Sequence, residues 1–206
     1  MNPRTKAESE ILAGRAVDAV VYIWYPCRSF AVGHAAIYIG GVPKYPWTDL
    51  YPRHPPDDNY VSFLAEPDIS RGILSCAGAL NSLHADFVDP PHVEYYLIGL
   101  DVEKMRDHAD EIHKGKKYGN FRISHSYNSI NKNCATMVAN ILKAGGVENL
   151  LNTIQQVGYA KNIYWTPKDI AQLCNELRNN DKAVKVKGLD CPSKLDLPFK
   201  TLMGFR

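Results

Sequence analysis

The chain has 206 residues, a formal net charge of +2 and a hydrophobic content of 45%, which suits one domain with a sizeable core. Both signs of charge are scattered, which argues against a nucleic-acid-binding surface. There is neither a run of about 18 apolar residues nor an apolar leader after Met1, so we expect no membrane-spanning helix and no signal peptide.

Strand patterns dominate the first half of the chain. Residues 18–25 and 33–40 are rich in β-branched and aromatic residues, and residues 60–66 and 92–100 continue the pattern. Residues 41–59 contain five prolines, which predicts a long irregular loop of the kind that often serves as a binding loop or lid.

Helix patterns dominate the second half. Asp101 caps a predicted helix that runs to about Lys114, and a short helix is predicted over 147–157. Thr166, followed by Pro167 and Asp169, has the pattern of a capped helix start. We interpret the basic run at 182–187 as part of a solvated tail over 179–206, and the catalytic core as about 18–178 of a single domain over 1–206.

The segment 133–146 is the most informative for chemistry. It predicts a helix with Asn133 as N-cap and the pair Gly145 and Gly146 as a left-handed C-cap. Cys134 then lies in the first turn, where free N–H groups and the helix dipole lower a thiol pKa from about 8.5 toward roughly 3.5–7.5. The alternative, which the helix alone leaves open, is that Cys134 is a small buried hydrophobic residue.

A histidine in the second predicted strand supplies a partner. His34 shares one strand face with Ala36 and Tyr38. A cysteine nucleophile needs a histidine to accept and return its proton, and a third group to orient that histidine. A lone strand histidine is often structural, but together with a cysteine at a helix start it favours catalysis.

Strand register predicts the third group. If Gly40 lies opposite Tyr60 in an antiparallel pair, Glu66 lies opposite His34 on the same face and would orient it. Ser62 shares that face but would lie further away. A solvent-exposed Glu66 at the strand end is the competing interpretation. The other candidates for this position are Ser62, Asp68, His84 and Asp86.

The remaining polar residues give weaker signals. The five cysteines are odd in number, and no CxxC pair occurs, so we expect reduced thiols and neither a disulfide framework nor a zinc site. We expect no metal and no organic cofactor. His125 is a better candidate for a surface loop than for the site. Tyr127, Asn131 and Asn133 are candidate oxyanion donors.

Three motifs together resemble a known family. Gly33-His34-Ala-Ala-Ile-Tyr-Ile-Gly40, Tyr60-Val-Ser-Phe63 and Asn133-Cys134-x-x-x-Val138 resemble the circularly permuted NlpC/P60 branch of the papain-like cysteine hydrolases, and Trp165-Thr-Pro-Lys-Asp-Ile170 resembles helix starts common there. The resemblance implies an α+β fold in which an antiparallel sheet packs on the cysteine helix, with Cys134, His34 and Glu66 as the catalytic residues.

The motifs are most similar to those of type VI secretion toxins of this branch. That resemblance implies amide cleavage in peptidoglycan peptides, synthesis in a bacterial cytoplasm without a signal peptide, delivery to a target cell by a dedicated secretion system, and a neutralising immunity protein. Three alternatives stay open: a host-protein protease or deamidase, a lecithin-retinol-acyltransferase-like acyltransferase or lipase, and a non-catalytic binding module. The acyltransferases carry a second histidine about a dozen residues after the first, where this chain has Tyr45, Pro46 and Trp47.

Overall fold

The computed structural model describes residues 11, 16–30, 32–43, 58–65, 78–113, 117–118, 121–122, 133–160, 162 and 164–192. Within them, six strands form one antiparallel sheet in the order β4-β3-β2-β1-β5-β8. These strands are β1 Ala19–Trp24, β2 His34–Ile39, β3 Tyr60–Ala65, β4 Gly78–Leu80, β5 Val93–Leu97 and β8 Ala183–Lys187. A separate small ribbon pairs β6 Lys117–Tyr118 with β7 Phe121–Arg122.

The described helices lie mostly after β5. They are α1 Leu83–Asp86, α2 Val102–His113, α3 Cys134–Ala144, α4 Thr153–Ala160 and α5 Pro167–Asn179, with a 3₁₀ turn at Val147–Leu150. The fold is therefore α+β with an antiparallel sheet, as the sequence predicts, and α3 and α5 both begin at their predicted caps.

The sheet is covered on both faces. On one face Ala35, Ile37 and Ile39 of β2 belong to the main core, together with buried residues of α2, α3 and α5. On the other face Ala36 belongs to a second cluster that is rich in tyrosine and tryptophan. The alternation along β2 thus sends one set of side chains to the helices and the other to an aromatic layer.

The ends of the helices refine the predictions. Of the two glycines after α3, Gly146 is left-handed at φ 78°, whereas Gly145 has φ −72°. The single helix predicted over 147–157 is wrong, because the 3₁₀ turn ends at Leu150 and α4 begins only at Thr153. Leu151 and Asn152 separate them. The Asn152 side chain accepts a hydrogen bond from the N–H of Gln155, which starts a new helix.

The basic run at 182–187 is not a solvated tail. Residues 183–187 form β8, which pairs with β5 from Leu97 opposite Ala183 to Val93 opposite Lys187. Ala183 is fully buried, so the strand contributes to the core even though its far end is exposed. Part of the predicted tail therefore completes the sheet.

The predicted register between β2 and β3 is wrong by two residues. Tyr60 lies opposite Tyr38, and Ser62 lies opposite Ala36. Gly40 has left the strand at φ 84°, and its N–H donates to the Asp18 carbonyl next to β1. Because a shift of two residues preserves the side-chain alternation, the predicted faces are kept while the neighbours change.

Candidate active site

The first turn of α3 places a buried cysteine at a helix start. Asn133 caps the helix, since its Oδ1 accepts from the N–H of Thr136 at 2.9 Å. Its Nδ2 donates to the Trp165 carbonyl at 2.9 Å, which fastens the helix start to the segment before α5. Asn133 thus caps α3 and also links its start to the segment before α5. Cys134, which is 6% exposed, follows directly.

His34 is held by aromatic rings at the start of β2. Its imidazole stacks on Phe30 with centroids 4.7 Å apart and an angle of 16°, and it lies 5.2 Å from the Trp24 ring. The Trp24 Nε1 donates to the Asp89 carbonyl at 2.6 Å, so the indole is itself fixed. His34 is 1% exposed, and its ring plane is therefore determined by the protein.

The two nitrogens of His34 have different surroundings. Nε2 lies 2.8 Å from the Ser62 Oγ and 3.6 Å from the Asp86 Oδ2. Nδ1 is buried and makes no hydrogen bond of ordinary geometry to any described residue. Because Nε2 faces Ser62 and Asp86 and Nδ1 makes no ordinary hydrogen bond, the ring interacts with the Cys134 thiol through a looser polar contact.

Cys134 and His34 interact electrostatically. Burial would raise the pKa of Cys134, but the His34 charge and hydrogen bond lower it, helped by the N–H groups of Ala35 and Ala135. Burial would lower the pKa of His34, yet the Cys134 thiolate, followed by contributions from Asp86, raises it to about 9. Each group therefore stabilises the charged form of the other, thiolate for Cys134 and imidazolium for His34.

Another buried cysteine shows that burial alone has the opposite effect. Cys174, on α5, is fully buried, and desolvation raises its pKa. Cys27 and Cys191 are only half-buried. Of the two buried cysteines, Cys134 therefore has a lowered thiol pKa and Cys174 a raised one.

Asp86 supplies the acidic group. It is 1% exposed and accepts from the Tyr60 hydroxyl at 2.5 Å and from the Asn81 Nδ2 at 2.7 Å. Burial would raise its pKa, but the hydrogen bond and charge of His34, then Ser62 and Tyr60, lower it. Asp86 is thus a buried carboxylate that lies near the Nε2 of His34.

The predicted pair is therefore brought together, and the third group differs from the favoured candidate. Ser62, a candidate expected to lie further away than Glu66, is hydrogen-bonded to His34 because of the shifted register. Asp86, another candidate, is close to it. Glu66 and Asp68 lie outside the described residues, as do His125, Tyr127 and Asn131.

Tyr60 and Asn81 were not predicted as part of the site. Both act on Asp86, and neither touches His34 in the described contacts. The available signal was the segment 81–86, in which Ser82 caps a short helix that ends at Asp86. Tyr60 lies on the same face of β3 as Ser62, so it becomes apparent once that face is known to carry the site.

The described residues contain no cluster of three or more histidine, cysteine or acidic side chains arranged to hold a metal ion. None of the helices in the described ranges combines the length and apolar content that crossing a bilayer requires.

Comparison with known proteins gives one positive result. Searches of curated proteins and of solved structures found no match. Residues 79–196, which are 118 of the 206 residues, match the family model described as the IcsB middle domain. That segment includes Asp86 and Cys134, whereas His34 precedes it. The chain belongs to the IcsB middle domain family.

Proposed function

We propose that this protein is a cysteine-dependent enzyme that forms an acyl-thioester on Cys134, with His34 as general base and acid and Asp86 as the acidic member. The observation that carries the proposal is the buried His34, which interacts with the Cys134 thiol and has Ser62 and Asp86 near its Nε2. Three groups in this order fit the requirements of a cysteine nucleophile.

The chemistry follows from these positions. The Cys134 thiolate attacks an acyl carbonyl, and the first-turn N–H groups of α3 stabilise the negative oxygen. When the tetrahedral intermediate collapses, the carbon–nitrogen bond of an amide breaks and the amine takes the proton from the Nδ1 of His34. Water then gives a proton to His34 and attacks the thioester, which releases the acid and restores the thiolate and imidazolium pair.

We further propose that the fold is the circularly permuted papain-like arrangement. In support, the histidine strand β2 precedes the cysteine helix α3 in the chain, and α3 packs on the sheet that contains β2. Under the same proposal the substrate is a peptide amide, as in peptidoglycan or a target-cell protein. The protein would be a secreted bacterial effector, carried by a secretion system and neutralised in the producing cell by an immunity protein. Membership in the IcsB middle domain family supports the effector role.

One observation favours a second fate for the acyl-enzyme. Val32 and Val88 are 83% and 77% exposed, and they lie two residues before His34 and two residues after Asp86. Exposed apolar side chains on both segments that carry the site fit an acyl donor with an apolar chain. If an amine rather than water then attacks the acyl-enzyme, the enzyme is an acyltransferase.

Peptide-level mass spectrometry of the acylated protein tests the proposal and separates the two fates. Purified protein is incubated with a long-chain acyl thioester, or with a peptide p-nitroanilide library, and the Cys134 peptide is examined for a thioester that hydroxylamine removes. We expect the adduct in the wild type and in a Cys27→Ala control, but not in Cys134→Ala. An added amine that becomes acylated indicates transfer, and free acid alone indicates hydrolysis. Absence of any Cys134 adduct with either donor contradicts the proposal.

A further inference from the structure

Asp86 forms an ion pair with His34, but it is not the nearest partner of the histidine. The distance between the Asp86 Oδ2 and the His34 Nε2 is 3.6 Å, beyond the usual range of about 2.7–3.2 Å for a nitrogen–oxygen hydrogen bond. The Ser62 Oγ, at 2.8 Å from the same nitrogen, occupies the hydrogen-bonding position instead. A serine therefore lies where the catalytic arrangement requires the carboxylate.

Asp86 is also held away from His34 by other donors. The Tyr60 hydroxyl donates to Oδ2 at 2.5 Å, and the Asn81 Nδ2 donates to Oδ1 at 2.7 Å. Both carboxylate oxygens are thus engaged by donors other than the imidazole. A direct bond to His34 requires the carboxylate to move against these two contacts, which are buried or partly buried and therefore costly to break.

Ser62 has the hydrogen-bonding capacity to join the two groups. A hydroxyl donates one hydrogen bond and accepts two, and an imidazolium donates from both nitrogens. The Nε2–H of His34 donates to the Ser62 oxygen, and the serine hydroxyl is then available to donate to Asp86, whose pKa it helps to lower after the effects of burial and His34. Ser62 is 1% exposed, so water does not compete for these bonds.

The backbone fixes the serine in this position. Ser62 lies opposite Ala36 in the pairing of β2 and β3, and its carbonyl accepts from the N–H of Asn81 at 2.9 Å. The residue that anchors the Asp86 carboxylate through its side chain is therefore attached to Ser62 through its backbone. Asn81 thus contacts both Ser62 and the Asp86 carboxylate, which fixes the position of one relative to the other.

We propose that Ser62 is a positioning residue through which Asp86 acts on His34, so that the site is a four-residue relay of Cys134, His34, Ser62 and Asp86. The inference rests on the proposed function and deepens it. The titratable groups that face His34 are Cys134 from α3 and Asp86 from α1; Tyr60 of β3 acts through Asp86, and Tyr22 of β1 acts on Tyr60.

The relay has a measurable consequence for the protonation of His34. In Ser62→Ala the Nε2–H is buried with no partner at hydrogen-bonding distance, which disfavours the charged imidazolium. The pKa of His34, measured from the ring Cε1–H signal by NMR, should fall by about one unit or more. Ser62→Thr, which keeps the hydroxyl, should retain the wild-type value.

A double-mutant cycle separates a relay from direct action. If Asp86 acts through Ser62, the pKa shift in Ser62→Ala combined with Asp86→Asn equals the larger single shift rather than the sum. Val61→Ala is the matched structural control, because Val61 is buried on the other face of β3. It should lower the thermal midpoint and leave the His34 pKa unchanged.

The outcomes distinguish this inference from the proposed function. An unchanged His34 pKa in Ser62→Ala, or additive shifts in the double variant, overturns the relay. A shift that Ser62→Thr fails to prevent also overturns it, provided that this variant has the wild-type thermal midpoint. If the His34 pKa depends on Ser62 but Cys134 forms no acyl adduct, the relay is supported and the proposed enzyme activity is contradicted.

Discussion

Replacing Gly33 by alanine tests the turn that delivers His34 to the site. Gly33 has φ +80°, and a Cβ built on it lies 2.9 Å from the Trp24 carbonyl oxygen. A left-handed backbone costs an L-residue roughly 1–2 kcal/mol, and relief of a backbone clash costs typically about 1–3 kcal/mol. Trp24 is paired with His34 across β1 and β2, so that clash cannot be relieved without moving the histidine.

Gly33→Ala should therefore lower the free energy of unfolding by about 2–5 kcal/mol. That is a large part of the roughly 5–15 kcal/mol by which folded domains are stable. Urea unfolding followed by tryptophan fluorescence measures it. Gly146→Ala is the matched control, because Gly146 has nearly the same φ, +78°, but a Cβ there meets only the end of the Asn149 side chain, at 3.2 Å. Equal destabilisation by the two variants, or normal Cys134 reactivity in Gly33→Ala, refutes the argument.

Three further variants test other parts of the structure. In Cys134→Ala the pKa of His34 should fall below about 9, because burial lowers it and the thiolate is the largest contribution that raises it; an unchanged NMR titration contradicts this. Asn133→Ala should cost about 1–2 kcal/mol in urea unfolding through loss of the cap and of the bond to the Trp165 carbonyl, and a cost below 0.5 kcal/mol (roughly the scatter of surface substitutions) argues against it. Ala183→Asp should lower the thermal midpoint strongly, because it places a charge at a fully buried position of β8; a wild-type midpoint contradicts the assignment of β8 to the core.

Local patterns were sufficient to predict the elements that carry Cys134 and His34. The Asn133 cap and the Thr166 capping box depend on residues three apart in sequence, so a single sequence contains the whole signal. The β2 strand is likewise bounded by glycines with positive φ on both sides. These features fix where each side chain lies on its own element.

The third group depends on contacts that are distant in sequence. Asp86 is the last residue of a four-residue helix, and β4 before it has three residues, too short for a periodic pattern. Its approach to His34 results from the path of β3, β4 and α1. The register was missed for a related reason: Gly40 leaves β2 to bond the Asp18 carbonyl, and nothing between residues 34 and 66 specifies that contact.

The rate of Cys134 alkylation by iodoacetamide as a function of pH tests the central claim most directly, with each cysteine followed by peptide mapping. We predict that Cys134 is alkylated faster than Cys27 and Cys191 already at pH 6–7, because its thiol pKa is lowered while His34 stays protonated up to about 9. A His34→Ala variant should lose this advantage. If Cys134 reacts no faster than the other two, and only as the pH approaches an ordinary thiol pKa of about 8.5, the thiolate and imidazolium pair does not exist and the proposed enzyme fails with it.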